Sequence, residues 1–314
     1  MTPTTSVVIP TTLRPDVRNA IQSARAQADD KVTVEVIVVI DRHESEIDAS
    51  ALGLVDGADD VLFGDRRGAA SARNQGVRAA SGDNVAFLDD DDIWLPGKLA
   101  AQLAALEEHD VDIVASQVRQ RQSGASDLSV PVPATCYRPG QNVEDYLFRQ
   151  RRPSIDRSSL FTSTLLVNST VARMVDWDAG LKRHQDWDWL IRAARAGYRI
   201  WQVPEPLVVL NTGSSGSISA SPDWRSSIEW ATRWRGVWDD RTLVDFLLAQ
   251  TMRYALNARS WHGTRTVARE ALSLRTVPSL GPVLIALAGA MPRGLLERVM
   301  LRSGVEVSDS RGVS

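Results

Sequence analysis

Four consecutive aspartates, Asp89–Asp92, close the apolar run Val85–Leu88 in the segment NVAFLDDDDIWLPGKL. Val85, Ala86, Phe87 and Leu88 read as a short buried strand, and Pro96–Gly97 marks a turn into a helix. Four adjacent carboxylates repel one another, and none can be buried without a partner. A strand that ends this way is most simply explained by a bound cation. Mg²⁺ or Mn²⁺ takes oxygen ligands, commonly one or two protein carboxylates with phosphate oxygens. A solvated acidic turn is the alternative.

The first half alternates strands and helices. Ser6–Pro10 and the almost wholly β-branched Val34–Ile40 are strand-like, with Val17, Ala20, Ile21 and Ala24 at helical spacing between them. Asp59–Phe63 predicts a short strand, Gly68–Ala80 a helix, Leu99, Leu103 and Leu106 the inner face of another, and Val111–Ser116 a further strand. This rhythm implies an α/β fold, a mostly parallel sheet flanked by helices. Ligands of such sheets gather at the carboxyl ends of the strands, near the point where strand order reverses. Thr11, Asp41 and the aspartate run each follow a strand, so they converge on one rim.

The rest is less regular. Phe161–Asn168 resumes a strand pattern, and a helix starting near Asp186 is expected to turn Trp187, Leu190, Ile191 and Ala194 inward. Ile200–Val203 and Leu207–Leu210 read as two short strands around Pro204 and Pro206. The Gly/Ser-rich stretch Asn211–Pro222 is a candidate lid, and the basic cluster Arg149–Arg152 reads as a solvated loop or a contact for an anionic acceptor. From about Ser226 to Leu274 the chain reads as helical, with Trp230, Trp234 and Trp238 on one face as core. Leu280–Met291 is shorter than the ~20 residues a bilayer requires. It reads as a buried hydrophobic helix, with an interfacial membrane contact beside Arg293, Arg298 and Arg302 as the alternative.

The net charge of −3 gives no reason to expect a nucleic-acid partner. Cys136 is the sole cysteine, which excludes an internal disulfide and any cysteine-based metal centre. The start, MTPTTSVVIP, has no basic region and too short an apolar run for a signal peptide, which points to the cytoplasm.

Taken in order, SVVIPT, VEVIVVID, RRGAASARNQG, NVAFLDDDDIWLPGKL and LKRHQDWDWLIRAARAGYRI resemble the family 2 glycosyltransferases over roughly residues 5 to 212. The resemblance implies the GT-A (nucleotide-diphospho-sugar transferase) fold with a helical C-terminal region. It also implies inverting transfer from a nucleotide-diphosphate sugar, often a UDP-sugar, to a glycan or lipid-linked acceptor, with Mn²⁺ or Mg²⁺. The domains expected are a transferase domain over 1–222, its nucleotide-binding half 1–116 and its acceptor half 117–222. A helical region over 223–304 and a disordered tail over 305–314 follow. Work in the cytoplasm, or peripherally at the inner face of the plasma membrane, fits this reading.

By the same resemblance Pro10, Thr11 and Asp41 border the nucleotide, with Asp41 contacting the base. Arg73 and Asn74 lie beside the base or the diphosphate. Asp89 and Asp91 form the D-x-D metal pair, with Asp91 the direct ligand. In an extended segment, residues two apart point the same way, so both can face one ion. Asp90 is assigned to the ribose, and Asp92 to a helix cap or a supporting role. Asp186 matches the catalytic base, and a helix start keeps such a carboxylate ionised. Asp188, two residues on, faces away. His184, Gln185 and Trp187 are weaker candidates for acceptor contact or support.

Three positions depart from the family pattern. Asp41–Arg42 replaces an Asp-Asp pair, Thr12–Leu13 replaces Tyr-Asn, and Gln185 stands where Glu is common. Two other functions compete with this reading. A sugar nucleotidyltransferase would need a Gly-rich, lysine-bearing loop after the first strand, and none is present. A non-catalytic nucleotide-sugar-binding module would have no use for Asp186.

Overall fold

The β-branched runs of the first half can cover both faces of a strand with apolar surface, and they build the centre of an eight-stranded sheet. The computed structural model describes residues 3–149, 158–213 and 221–289. Strand β1 (Thr4–Thr11) lies between β2 (Thr33–Ile40) and β4 (Asn84–Phe87), parallel to both. Strand β3 (Asp60–Phe63) extends the sheet beyond β2, also parallel. Strand β7 (Leu166–Asn168) runs antiparallel between β4 and β6 (Ile113–Gln122). Strand β8 (Ile200–Thr212) pairs parallel with β6, and the two-residue β5 (Ile93–Trp94) closes the far edge. The order is β3-β2-β1-β4-β7-β6-β8-β5. From β1 the chain builds outward to β2 and β3, then returns to the other side of β1 as β4. The order therefore reverses between β1 and β4, and a crevice opens outside their carboxyl ends.

Helix α1 (Val17–Arg25) buries Val17, Ala20, Ile21 and Ala24, the spacing read from sequence. The single turn α2 (Ala49–Leu52) precedes β3, and α3 (Ala69–Ala79) follows it. Helix α4 (Lys98–His109) begins just after the Pro96–Gly97 turn, where Gly97 takes a φ of 81°. Short helices α5 (Val143–Phe148) and α6 (Ser169–Met174) lead to α7 (Gln185–Arg195).

Two expectations change. The pair of short strands after α7 is one strand, β8. Its pairing with β6 shifts register between Ser116 and Val118, so Pro204 and Glu205 fall in the irregularity. Proline has no N–H for the ladder, and a bulge is where a sheet tolerates it. The buried face of α7 is Asp188, Trp189, Leu190, Ile191 and Ala193, rather than the face carrying Trp187 and Ala194. Trp189 stacks on Trp177 at 5.2 Å, and Phe87 of β4 meets both rings edge-on. Helix α7 is thus rotated to place Trp189 against the sheet.

The chain divides into two compact units, Met1–Leu147 with Ile155–Ala220, and Phe148–Ser154 with Ser221–Ser314. The second is helical: α8 (Trp224–Arg233), α9 (Asp240–Phe246), a π-helical stretch (Leu247–Met252), α10 (Arg253–Asn257), α11 (Trp261–Ser273) and α12 (Leu280–Gly289). Asp223, Asp239 and Ser260 cap α8, α9 and α11 by accepting backbone N–H groups. Trp230 and Trp238 are buried with Phe148 and Phe246, and Trp234 stacks on Trp238 at 5.3 Å. The tryptophan stripe is core.

Helix α12 is not the buried helix expected, because Leu280, Leu284 and Leu287 face solvent. No helix among the described residues is long and apolar enough to cross a membrane. Residues 150–152 of the basic cluster, 214–220 of the candidate lid and the tail 305–314 lie outside the described residues.

Gly76 marks the closest approach of α3 to the sheet. A Cβ there would fall inside the van der Waals envelope of Val8 on β1. Gly76→Val is expected to destabilise the fold by about 3 kcal/mol through overpacking, measured as a lower urea midpoint with an unchanged m-value.

Candidate active site

The rim outside β1 and β4 is organised by charge. Asp89–Asp92 form a tight turn in which the Asp92 N–H donates to the Asp89 carbonyl at 3.1 Å. The segment is therefore not extended, and the alternation expected to point Asp89 and Asp91 the same way does not operate. Instead each of the four side chains has its own partner.

Asp89 accepts from Arg73 Nη2 at 2.5 Å, and Arg73 is fixed by lying over the Trp177 ring, 4.7 Å from its centroid. Asp90 is buried. Its carboxylate accepts from Thr11 Oγ1 at 2.6 Å and from Nε and Nη2 of Arg14. The Thr11 hydroxyl in turn accepts the Leu13 N–H at 2.8 Å, and Leu13 adopts a φ of 67°. That left-handed backbone, uncommon for leucine, turns the chain after β1. Arg14 also reaches Asp91 through Nη1 at 3.0 Å. Asp90, assigned from sequence to the ribose, anchors the loop after β1 in this structure.

Of the two roles expected for Asp92, a helix cap or a support, the structure shows the support. It accepts from Ser163 Oγ at 2.5 Å and from the Asn211 N–H of β8 at 3.0 Å. Ser163 also accepts the Asp89 N–H at 3.1 Å, and the Asn211 amide donates to the Asp91 carbonyl. Burial pushes the Asp92 carboxyl well up from its ordinary value, with Asp89 and Asp91 adding to this; Ser163 and Asn211 pull it down. Asp91 remains partly open to solvent. Burial raises it, Arg14 lowers it, and Asp89 and Asp90 raise it further.

Asp41 follows β2, and its carboxylate accepts the Arg67 and Gly68 N–H groups at 3.0 and 2.8 Å. It thereby fixes the loop that opens α3, where Gly68 takes a φ of 87°. Pro10 is buried within β1. Asn74, expected beside the nucleotide, is tied to the backbone of Trp177. Its amide donates to the Trp177 carbonyl and accepts the Trp177 N–H, both at 2.8 Å, so it clamps the Trp177 backbone beneath Arg73.

Asp186 sits in the first turn of α7 and accepts the Trp187 N–H at 2.9 Å. Burial raises its carboxyl above the ordinary aspartate value. The Trp187 N–H and the Arg73 charge pull it down, and the Asp89 charge raises it. It is therefore electrostatically coupled to both members of the Arg73–Asp89 pair. Asp188 is buried and paired with Arg192 at 2.6 Å, a support within the helix. His184, buried at a φ of 61°, stacks on Trp187 at 4.8 Å with the planes 8° apart. The Gln185 amide donates to the Leu181 carbonyl at 2.6 Å and steadies the turn into α7.

Arg14, Ser163 and Asn211 escaped the sequence reading. Arg14 follows a strand carrying a site residue, which is a weak signal. Ser163 and Asn211 lie 71 and 119 residues from Asp92 and had none.

Comparison with known proteins places the chain in a family. Residues 6–161, about half the chain, match the model of glycosyl transferase family 2. The amylovoran biosynthesis glycosyltransferase AmsB of Erwinia amylovora is 33% identical over 152 residues, 47% of this chain and 48% of that protein. The chain thus spans about half the length of that relative. The UDP-Glc:alpha-D-GlcNAc-diphosphoundecaprenol beta-1,3-glucosyltransferase WfgD of Escherichia coli is 42% identical over 48 residues, 15% of this chain and 19% of its own. The crystal structure of S. aureus TarS 1-349 in complex with UDP-GlcNAc superposes with a TM-score of 0.59, covering 96% of this chain and 92% of that one. At 14% identity that match speaks for the fold alone. A sheet that reverses order beside an aspartate turn, and a family match spanning that turn, lead to one conclusion: the chain belongs to the family 2 glycosyltransferases and is a glycosyltransferase on the GT-A fold.

Proposed function

We propose that the protein moves a sugar from a UDP-sugar to a hydroxyl of a glycan or lipid-linked acceptor, inverting the anomeric carbon, with a divalent cation at Asp89 and Asp91 and Asp186 as general base. The observation that carries this reading is the aspartate turn at the reversal of strand order, inside the stretch that matches the family; the charges of Arg73 and Asp89 felt by the Asp186 carboxyl support adding Asp186 to it. The names of relatives support the donor and acceptor classes: WfgD is named for UDP-Glc and a GlcNAc-diphosphoundecaprenol, and AmsB for amylovoran biosynthesis. Residues 1–116 would hold the nucleotide and 117–222 the acceptor. The same reading has the enzyme work in the cytoplasm or peripherally at the inner face of the plasma membrane.

The donor set suits Mn²⁺ or Mg²⁺. Among the described residues no three His, Cys, Asp or Glu side chains cluster as a cage. A hard cation held by one or two carboxylates and the donor's phosphates needs no cage. Asp91, raised by burial and by Asp89 and Asp90, has an electrostatic reason to favour a cation. When bound, the ion neutralises the diphosphate as it leaves. Arg73 Nε is buried and has no hydrogen-bond partner among the described residues, so it offers a donor to a phosphate oxygen. Asp41 and the loop it fixes border the base. Asp186 accepts the proton of the acceptor hydroxyl as that oxygen attacks the anomeric carbon. Its raised pKa brings it closer to neutrality, where a general base is most effective.

Asp186→Asn should lower kcat by roughly 10²–10⁴-fold while UDP affinity stays within a few-fold of wild type; unimpaired turnover would remove Asp186 from this role. Because its pKa is raised, activity should fall with decreasing pH, and the midpoint of kcat/KM should lie above the ordinary aspartate value of about 3.9. An acid limb at or below that value counts against the assignment. In thermal shift with UDP, GDP, TDP and CDP, stabilisation is expected with UDP and Mn²⁺ together, and Asp91→Asn should lose the metal-dependent part. No shift with any diphosphate would overturn the donor site.

A further inference from the structure

The net charge of −3 conceals a division. The unit formed by Phe148–Ser154 and Ser221–Ser314 holds 16 arginines, no lysine and nine acidic residues, a net charge of +7, whereas the other unit carries −10.

Within the basic unit, helix α11 turns arginine and large apolar side chains outward together. Trp261, Arg265, Arg269 and Leu272 are all exposed and, at offsets of four, eight and eleven residues, share one helical face. Trp261 is 69% and Leu272 78% exposed, and the Arg265 guanidinium lies over the Trp261 ring at 5.2 Å. Gly263, Val267 and Ala271 take the buried side. The connection to α12 exposes Arg275 and Val277, the latter by 78%. Helix α12 then exposes Leu280, Leu284 and Leu287, spaced as i, i+4 and i+7. Single exposed leucines are ordinary, but a run of this kind over two consecutive helices marks an interaction surface.

We propose that α11, α12 and their connection dock peripherally on an anionic lipid bilayer. Arginines are drawn to the negative surface of an anionic leaflet, and tryptophan and arginine suit the headgroup boundary because each joins an apolar body to a polar end. The leucine row supplies the shallow apolar insertion, and α12, at ten residues, is too short to span. The sequence continues in kind: residues 290–303 contain Arg293, Arg298 and Arg302 against Glu297, among Leu295, Leu296, Val299, Met300 and Leu301. A nucleic acid would explain the arginines but not the leucines. A symmetric contact with a second copy would set +7 against +7. The surface does not depend on the identity of donor or acceptor, so the test uses neither.

The experiment is co-sedimentation of the full chain with vesicles of phosphatidylcholine alone and of phosphatidylcholine mixed with phosphatidylglycerol. Binding is expected only to the anionic vesicles, weakened by high salt. Arg265→Gln with Arg269→Gln should reduce partitioning about tenfold, and Leu280→Ser with Leu284→Ser should do the same without changing charge. These side chains are exposed, so an unchanged melting temperature is expected and is checked first. Absence of binding, equal binding to both vesicles, or variants that bind like wild type would each overturn the proposal. So would sedimentation equilibrium showing self-association that the same variants abolish, without vesicle binding.

Discussion

The site rests on satisfying four carboxylates in one tight turn. Asp89–Asp92 sit at the end of a buried strand, where unpaired charge costs several kcal/mol per ion. The chain meets that cost with five residues from four segments: Thr11 ending β1 with Arg14 just beyond it, Arg73 on α3, Ser163 before β7 and Asn211 on β8. The requirement to neutralise the turn ties these sequence-distant segments together. The partners also differ in kind. Asp90 and Asp92 are buried and locked, whereas Asp89 and Asp91 are more open. The division separates two buried carboxylates that lock the loops from two that are ion-paired but partly open to solvent.

Helix α7 supplies the second half of the site. Trp189 packs against Trp177 and Phe87, and this sets the helix rotation. Trp177 is held by Asn74 and in turn carries Arg73. The orientation of α7 and the position of the Arg73–Asp89 pair thus share one aromatic support, and Asp186 feels both charges of that pair. An aromatic packing contact beneath Arg73 thus sets the orientation of the helix that carries the candidate base.

The helical unit uses its aromatic residues differently at its centre and at its surface. Trp230, Trp238, Phe148 and Phe246 fill its core, while Trp261 stands outside beneath an arginine. Composition alone does not separate these roles, since Trp230 and Trp261 both lie on helices. Burial does.

Much of the fold was legible in the sequence. The β-branched runs, the small-residue helix after β3 and the aspartates closing β4 fix a parallel α/β sheet and the rim where a ligand binds, because strand composition and strand-end charge are local properties. The candidate residues on that rim, Asp41, Arg73, Asp89, Asp91 and Asp186, were all nameable from motif order. Tertiary structure decided their partners. Asn74 clamps the Trp177 backbone and Asp90 anchors the loop after β1, while Arg14, Ser163 and Asn211 entered the site unannounced. It also made one bulged strand of two expected ones, rotated α7 by the packing of Trp189, and left the leucines of α12 in solvent. Sequence determines which groups need a partner, because that follows from charge and hydrophobicity residue by residue; only the folded chain determines which partner, because the donors come from segments that meet solely through the packing of the sheet.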